Sequence, residues 1–290
     1  MAETPQQQWP QLEPGTLWRR ALEANAHALA TGDLEPLTTE AQGVEQGGVA
    51  YQLRVLGRIQ RKVRRSGVLK GGSPFLAPPL PLVVGTLGRT HALLLNKFPV
   101  VQPHLLIVTR AFEEQEALLG AADFHALSRC LGELDGLAFY NAGPGAGASQ
   151  RHKHLQLIAP LGPGGLRAPI ERVLGPLAPW RVAREPALPF AHAAMGLGLP
   201  SGSLAVDGVA LHEAYGALRR ALGFSEAPRP YNLLVTRRWM ILVPRRAAAW
   251  EGIELNAMGF AGSLLVRTHQ QLARVREAGP AAVLRAVAGD

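Results

Sequence analysis

The chain has 290 residues, of which 47% are hydrophobic and 18% are charged, so its composition is that of a globular protein and excludes a disordered one. Its single cysteine excludes an intrachain disulfide framework and a metal site built from several cysteines. The formal net charge of +8 suits nucleic acid, a nucleotide substrate or no particular partner, so charge alone does not choose among them.

The N-terminal end shows no export signal. Residues 1–4 lack the basic n-region and the apolar h-region of a secretory signal peptide. No stretch approaches the roughly 18 apolar residues that a membrane-spanning helix needs. We therefore expect a cytoplasmic protein without a membrane-spanning segment.

The first elements are a helix and a strand. Apolar residues at helical spacing predict a helix over residues 16–30 that ends near Gly32. Residues 34–48 have the composition of a polar connection, and alternating apolar residues predict a strand over residues 49–59. The basic run that follows, residues 58–65, is either a solvated surface loop or a loop that places one cation beside a phosphate.

The middle of the chain alternates between strands and helices. Strands are predicted over residues 82–85, 91–95 and 104–109, and the turn between the last two contains Asn96 and Lys97, which could both reach an anion. Residues 112–120 and 123–134 have the spacing of helices, with Asp123 as the N-cap of the second. A short apolar strand over residues 137–140 then leads into a glycine-rich loop.

The Pro- and Gly-rich stretch 160–189 indicates a domain boundary. We divide the chain into an N-terminal catalytic domain (1–165), a connection (166–189) and a C-terminal domain (190–290). The last part contains a predicted helix over residues 208–222, two strands over 231–236 and 239–243, and helices over 263–278 and 281–287. Strands and helices in irregular order, with hairpins, predict an α+β fold and not a parallel βαβ repeat.

The segment 141–160 combines glycines with two histidines and a glutamine. If its last residues are extended, His152, His154 and Gln156 share one face, because side chains alternate along a strand. An imidazole, with an ordinary pKa of about 6.5, is a good nucleophile near neutral pH and can form a covalent bond to phosphorus. We therefore interpret this segment as a nucleophile site for phosphorus chemistry.

The glycine-rich loop before the histidines has the composition of an anion-binding turn. Gly145, Gly147, Ala148 and Ser149 are small, so their backbone N–H groups could turn toward a phosphate. The Ser149 hydroxyl adds a donor, and the Gln156 amide N–H could bind an oxyanion without a charge.

Two other interpretations of the histidine pair stay open. A His-x-His pair on a strand is also common in zinc and iron sites, but no suitably spaced third ligand is evident. The histidines could also be structural residues at a strand edge. No P-loop, dinucleotide-binding fingerprint or nucleophile elbow occurs in the sequence.

The segment 147–156, GASQRHKHLQ, resembles the histidine-triad superfamily, and more narrowly the diadenosine tetraphosphate phosphorylases, also called ATP adenylyltransferases. Its His-x-His-x-Gln form is similar to the transferase branch, whereas the hydrolases keep a third histidine. Residues 96–100, 105–109, 139–141 and 231–236, with Trp239 and Arg245, also match the family. The resemblance covers most of the chain, from about residue 49 to about residue 266.

The resemblance implies that phosphate and diadenosine tetraphosphate give ATP and ADP through an adenylylated histidine. By position, His154 is the nucleophile, Gln156 holds a non-bridging α-phosphate oxygen, and His152 orients the site or supports the leaving group. The resemblance also implies that nucleotide and polyphosphate are bound by Lys62, Asn96, Lys97, Asn141, Gly147, Ala148, Ser149, Gln150, Asn232, Thr236 and Arg245.

The implied fold is a curved antiparallel sheet flanked by helices, in a single chain with a catalytic N-terminal half and a C-terminal half. We expect a monomer that acts on a dinucleoside polyphosphate, ATP, ADP and phosphate, with no nucleic-acid partner. The resemblance implies Mg²⁺ bound with the polyphosphate and no metal on the histidines.

Three alternatives to a phosphorylase remain at this point. They are a hydrolase of dinucleoside polyphosphates, a hexose-1-phosphate uridylyltransferase, and a non-catalytic nucleotide- or RNA-binding regulator. The lone cysteine argues against the second, because that branch usually carries Cys/His metal-ligand pairs. Gln156 argues against the first.

Overall fold

A computed structural model describes residues 9–57, 73–158, 168–199, 206–224 and 227–289. Its centre is a nine-stranded antiparallel sheet with the strand order β3-β4-β5-β7-β6-β10-β11-β9-β8. The strands of this sheet are β3 (Val83–Leu87), β4 (His91–Leu95), β5 (His104–Thr109), β6 (Leu137–Asn141), β7 (His154–Ile158), β8 (Val182–Ala183), β9 (Ala193–Gly196), β10 (Tyr231–Val235) and β11 (Trp239–Pro244).

Three helices cover one face of this sheet. They are α1 (Leu17–Thr31), α2 (Ala121–Glu133) and α3 (Gly208–Ala221). Their apolar sides share one core with every second residue of the central strands, for example Leu127 of α2 with Ile107 of β5 and Leu155 of β7. Local capping residues set one end of two of these helices. Gly32 ends α1 in the left-handed conformation, and the Asp207 carboxylate accepts from the Val209 N–H at the start of α3.

The opposite face carries a smaller sheet and three more helices. The smaller sheet has the order β1-β2-β14, in which β1 (Thr39–Gln46) is antiparallel and β14 (Ser263–Val266) is parallel to β2 (Val49–Leu56). A two-stranded ribbon and the helices complete this layer: β12 (Ala249–Trp250), β13 (Ile253–Glu254), α4 (Ala257–Phe260), α5 (His269–Ala278) and α6 (Pro280–Val287). The predicted α+β class, with an antiparallel sheet flanked by helices, is confirmed.

The two halves of the chain contribute to one sheet. β10 from the C-terminal half pairs with β6 from the N-terminal half, with Asn232 opposite Asn141 and Leu233 opposite Tyr140. The boundary that we placed at residue 165 lies outside the described residues, so the three-part division stays a prediction.

Several predicted elements differ from the structure. Residues 112–120 contain no helix, because the backbone of Glu113 and Gln115 bonds instead to Lys153 and Arg151, beside the bridge between Glu114 and His152. Asp123 lies in the first turn of α2 and accepts from the Gly120 N–H, so it is not the N-cap. Residues 39–46 form β1 where a polar connection was predicted, and residues 263–266 form β14 and not the start of a helix.

Two further findings concern the sequence-based predictions about membrane-spanning helices and the single cysteine. Among the described residues, no helix is both long and apolar enough to cross a membrane. Cys130 is a free thiol buried in α2, and burial raises the pKa of that thiol above its ordinary value. The basic run 58–65, with Lys62, lies outside the described residues.

Candidate active site

The predicted site residues lie on β7, which is paired on both sides. Val108 and Leu106 of β5 lie opposite His154 and Gln156, and Phe139 of β6 lies opposite Gln156 from the other side. His154 and Gln156 therefore face the layer opposite the helices, between an apolar cluster on β4 and β5 and a second cluster around Phe139. Leu155 and Leu157 point into the helix-side core, as the predicted alternation requires.

His154 is buried and held as a neutral imidazole. Its Nδ1–H donates to the His152 carbonyl at 2.8 Å, and the edge of Phe75 packs 5.1 Å from its ring, centroid to centroid. Burial lowers the pKa of His154 to about 4, against the bond to the carbonyl, which works to raise it. Nε2 has no hydrogen-bond partner among the described residues, so its lone pair is available to a substrate.

His152 orients His154 and is itself held at both ring nitrogens. Its Nε2–H donates to the Thr109 carbonyl at 2.7 Å, so Nδ1 is the acceptor and takes the Ser73 hydroxyl at 2.5 Å. Its ring also contacts Phe75 and Phe112. Both ring nitrogens of His152 are therefore bonded to protein atoms.

Gln115 supports the nucleophile from a position that the sequence did not mark. Its Oε1 accepts from the His154 backbone N–H at 2.8 Å, and its Nε2 donates to the carbonyls of Asn141 and His154 at 2.9 and 3.1 Å. The backbone pairing of β6 with β7 ends at Phe139 and Gln156, and beyond that pair the Gln115 amide links the two strands in place of backbone hydrogen bonds. We find no local sequence signal for this role, since the segment has helical spacing.

The Gln156 side chain has a partner on the neighbouring strand. His104 of β5 donates from Nε2 to Gln156 Oε1 at 2.9 Å, and Asn96 Nδ2 lies 3.1 Å from His104 Nδ1. His104 was not among the predicted site residues. Alternation along the predicted strand 104–109 could have indicated its face, but not its partner 52 residues away.

The glycine-rich loop is built differently from the predicted anion-binding turn. The N–H groups of Gly147 and Ala148 donate to the carbonyls of Pro144 and Gly143 at 2.9 and 3.1 Å, so the turn itself uses both groups. The amides of Ser149 and Gln150 have no partner among the described residues, and Ser149 is exposed. Of the four residues Gly147 to Gln150, only the last two therefore keep amides that the turn itself does not use.

Asn141, Asn232 and Arg245 form a buried network behind this loop. Asn232 Nδ2 donates to Asn141 Oδ1 and to the Ala146 carbonyl at 2.8 and 2.9 Å, and Arg245 Nη1 donates to Asn232 Oδ1 at 2.5 Å. Burial lowers the pKa of Arg245 to about 10. Their polar atoms thus bind protein and hold the loop; the direct substrate contacts implied by the resemblance stay a prediction.

Lys97 and Thr236 are the remaining predicted binding residues that the structure describes. Lys97 is partly exposed, with Nζ 3.3 Å from the Glu35 carboxylate. Thr236 follows β10 at the end away from Asn232, and its hydroxyl accepts the N–H groups of Arg238 and Trp239. The structure therefore brings His152, His154, Gln156 and the loop together, whereas Thr236 belongs to a distant turn.

No group of three or more His, Cys, Asp or Glu residues within the described part of the chain is arranged to hold a metal ion.

Residues 7–176 match the family described as the Ap4A phosphorylase N-terminal domain, and residues 186–290 match the ATP adenylyltransferase C-terminal domain. Over 241 residues the chain is 33% identical to diadenosine 5',5'''-P1,P4-tetraphosphate phosphorylase 2 of Saccharomyces cerevisiae, covering 72% of this chain and 73% of the yeast protein. Protein APA1 of the same yeast is 27% identical over 86% of each chain.

Solved structures agree with this relationship. The crystal structure of yeast Ap4A phosphorylase Apa2 superimposes with a TM-score of 0.78 at 26% identity, covering 94% of this chain and 97% of Apa2. Apa2 in complex with Ap4A superimposes with a TM-score of 0.75. Since the two family matches together span nearly all of the chain and a yeast phosphorylase is 33% identical over 72% of it, this chain belongs to the Ap4A phosphorylase family and is a nucleotidyltransferase.

Proposed function

We propose that this enzyme phosphorolyses diadenosine tetraphosphate (Ap4A) to ATP and ADP through a covalent adenylyl group on His154. The observation that carries the proposal is the state of His154: a neutral imidazole whose Nδ1–H is bound to a carbonyl and whose Nε2 has no partner among the described residues. That arrangement is typical of a preoriented nitrogen nucleophile.

In the first step the Nε2 lone pair attacks an α-phosphorus of Ap4A. The N–P bond forms, the bond to the bridging oxygen breaks, and ATP leaves with that oxygen. The imidazole ring becomes positively charged when Nε2 is adenylylated, and the His152 carbonyl, 2.8 Å from Nδ1, stabilises that charge. His152 therefore acts through its backbone and through the hydrogen bonds that fix its ring.

In the second step an oxygen of inorganic phosphate attacks the adenylyl phosphorus. The new P–O bond gives ADP, and the N–P electron pair returns to Nε2, which restores neutral His154. The low pKa of His154 favours this return, because a weakly basic nitrogen is a better leaving group. Both steps are chemically reversible, so the same site can also make Ap4A.

Donors around the nucleophile bind the phosphoryl oxygens. The amide N–H of Gln156 and the backbone N–H groups of Ser149 and Gln150 are the groups that we assign to this role. Asn232 and Arg245 keep the loop in place by donating to the Ala146 carbonyl, and Asn141 accepts from Asn232. Lys97 and Lys62 are proposed to attract the polyphosphate.

We further propose that Mg²⁺ arrives with the polyphosphate and reduces its charge repulsion, and that the protein acts as a cytoplasmic monomer. The monomer proposal is supported by the single chain supplying both halves of the sheet.

Intact-mass spectrometry tests the covalent route. Protein mixed with Ap4A and no phosphate should gain the mass of one AMP, and added phosphate should remove it with release of ADP. His154→Asn should bind Ap4A without gaining mass, because an asparagine amide can keep the bond to the His152 carbonyl but lacks the nucleophile.

Each other outcome would identify an alternative. Consumption of Ap4A by water without phosphate would indicate a hydrolase. Binding without consumption would indicate a regulator, and turnover by His154→Asn at the wild-type rate would exclude His154 as the nucleophile.

A further inference from the structure

The orientation of the Gln156 amide can be traced to a backbone N–H group two strands away. The Phe98 N–H lies 3.1 Å from Asn96 Oδ1. A backbone N–H only donates, so the oxygen of the Asn96 amide must occupy that position. The Asn96 NH₂ group is thereby turned toward His104 Nδ1, at 3.1 Å.

The next bond fixes the tautomer of His104. An amide NH₂ only donates, so His104 Nδ1 must accept, and the proton of the neutral ring must lie on Nε2. Nε2 is 2.9 Å from Gln156, and its proton requires the amide oxygen there. The Gln156 NH₂ group consequently points away from His104, and it has no acceptor among the described residues.

We propose that Asn96 and His104 are positioning residues, which fix the Gln156 amide so that its NH₂ group, and not its carbonyl oxygen, meets the α-phosphate. This inference rests on the role given to Gln156 under the proposed function. A flipped amide would place an acceptor against the phosphoryl oxygens and remove the donor that the reaction needs.

The surroundings of His104 keep it in the required state. Its ring lies beside Phe139, 5.8 Å between centroids, which limits its rotation. Burial, with a smaller contribution from nearby His154, lowers the pKa of His104 to about 4, although the bond to Gln156 works to raise it. A protonated ring would turn an Nδ1–H toward the Asn96 NH₂ group, so neutrality preserves the series of bonds.

Two substitutions of His104 form a matched pair. The terminal nitrogen of glutamine can occupy the place of histidine Nε2, whereas that of asparagine reaches only the place of Nδ1. His104→Gln should therefore keep a donor to Gln156 and most of kcat. His104→Asn should lower kcat toward the value of Gln156→Ala, which we expect to be about 10²–10³ below wild type, with a smaller change in KM.

The preference of the enzyme between substrate diastereomers distinguishes a positioning role of His104 from a merely structural one, because a structural defect would not change that preference. Ap4A with sulfur in place of one non-bridging α-oxygen exists as two diastereomers, and a fixed donor to one oxygen should make wild type prefer one of them. Gln156→Ala and His104→Asn should lose this preference, and His104→Gln should keep it. In Gln156→Ala, adding His104→Asn should lower kcat by less than twofold.

Asn96→Ser provides a second variant if His104→Asn is unstable. A serine hydroxyl can still accept the Phe98 N–H in the turn, but it lacks the NH₂ group that selects the His104 tautomer. It should weaken the diastereomer preference. Thermal unfolding of every variant measures its folded fraction under assay conditions.

The outcomes separate the two proposals. If Gln156→Ala loses activity and preference while His104→Asn keeps both, the positioning role is overturned and the phosphorylase reaction stands. If His104→Asn loses activity but keeps the preference, His104 is only structural. If Gln156→Ala is unaffected, both roles fail, and absence of the AMP adduct in wild type would overturn the proposed function itself.

Discussion

Burial sets the protonation state of the His154 side chain. A pKa of about 6.5 would leave part of the side chain protonated near neutral pH, whereas burial in the sheet lowers the pKa of His154 to about 4. The nucleophile is therefore neutral across the physiological range. The cause is tertiary, since residues distant in the chain cover the ring: Val108 lies opposite it on β5, and Phe75 packs 5.1 Å away, centroid to centroid.

This low pKa predicts acid sensitivity. In the folded protein His154 binds a proton near pH 4, and in the unfolded chain near pH 6.5, so the unfolded state binds more protons between these values. The free energy of unfolding should fall as pH falls through this window, by up to about 1.4 kcal/mol per pH unit for this group. Urea unfolding of wild type and His154→Asn from pH 7 to pH 4.5 measures it.

The variant should lose less stability than wild type over the same range, because asparagine does not titrate. Parallel curves for the two proteins would contradict the low pKa. His104, whose pKa is also about 4 chiefly through burial, titrates in both proteins, and the variant removes only the smaller contribution of His154 to that pKa, so most of the His104 effect cancels in the comparison.

Residue types and period-two spacing were enough to predict His152, His154 and Gln156 on one face. Ser73, His104 and Gln115 could not be predicted, because their roles depend on which residue lies opposite which. The partner of Gln156 is set by the register between β5 and β7, and that register follows from pairing 52 residues apart in the chain. Local composition does not encode it.

At the scale of elements, a buried ion pair joins the nucleophile strand to the helical layer. Lys153, between the two histidines, places Nζ 2.8 Å from Asp123 of α2 and 3.0 Å from Glu113. His91 of β4 donates to the other Asp123 oxygen at 3.0 Å. Burial works to lower the pKa of Lys153, but the charge of Asp123 and these hydrogen bonds outweigh it and raise that pKa.

We expect Lys153→Met to lower the free energy of unfolding by about 3–5 kcal/mol, because it leaves Asp123 charged and buried without its cation. The same variant should lower kcat, since His152 and His154 flank the displaced residue. Chemical denaturation and initial rates measure the two effects. Arg151→Met is the matched control: its ion pair with Glu114 is exposed, so a much smaller loss of stability should result. Equal losses would contradict the buried role of Lys153.

The loop before the histidines requires glycine at one position for two reasons. Gly147 has φ of 86°, and a Cβ atom there would lie 2.4 Å from the Leu255 carbonyl oxygen. We expect Gly147→Ala to raise KM for Ap4A and to destabilise the protein. Gly88→Ala is the control, since Gly88 has a similar φ of 80° with nothing within 4 Å of the added Cβ.

Gly88→Ala should lower the free energy of unfolding by only about 1–2 kcal/mol, which is the cost of placing an alanine in the left-handed conformation, and it should leave KM unchanged. Thermal unfolding and steady-state kinetics distinguish the two variants. If Gly147→Ala behaves like Gly88→Ala in both measurements, the contact with Leu255 does not shape the loop.

At the scale of the whole molecule, both halves of the sequence supply strands to one sheet. β10 and β11, which follow the Pro- and Gly-rich stretch, extend the sheet directly from β6, which precedes it. The α+β class and the order of the central elements could be predicted from the sequence. The pairing across the two halves could not, since short apolar strands carry no mark of their partners.

This shared sheet predicts how the chain unfolds. Fragments 1–165 and 190–290, made separately, should not fold cooperatively, because each exposes an unpaired strand and half of the core around Leu233 and Tyr140. Amide dispersion in NMR spectra and thermal unfolding measure this. The intact chain should unfold in one transition, and a well-dispersed spectrum from fragment 1–165 alone would contradict the prediction.

The single cysteine has a practical consequence for following the loop in solution. Cys130 is buried in α2 and its thiol is kept protonated, so it should not react with maleimides while the protein is folded. A cysteine placed at the exposed position 149 would then be the sole reactive thiol, and a fluorophore attached there would report substrate arrival at the loop without any background labelling to remove.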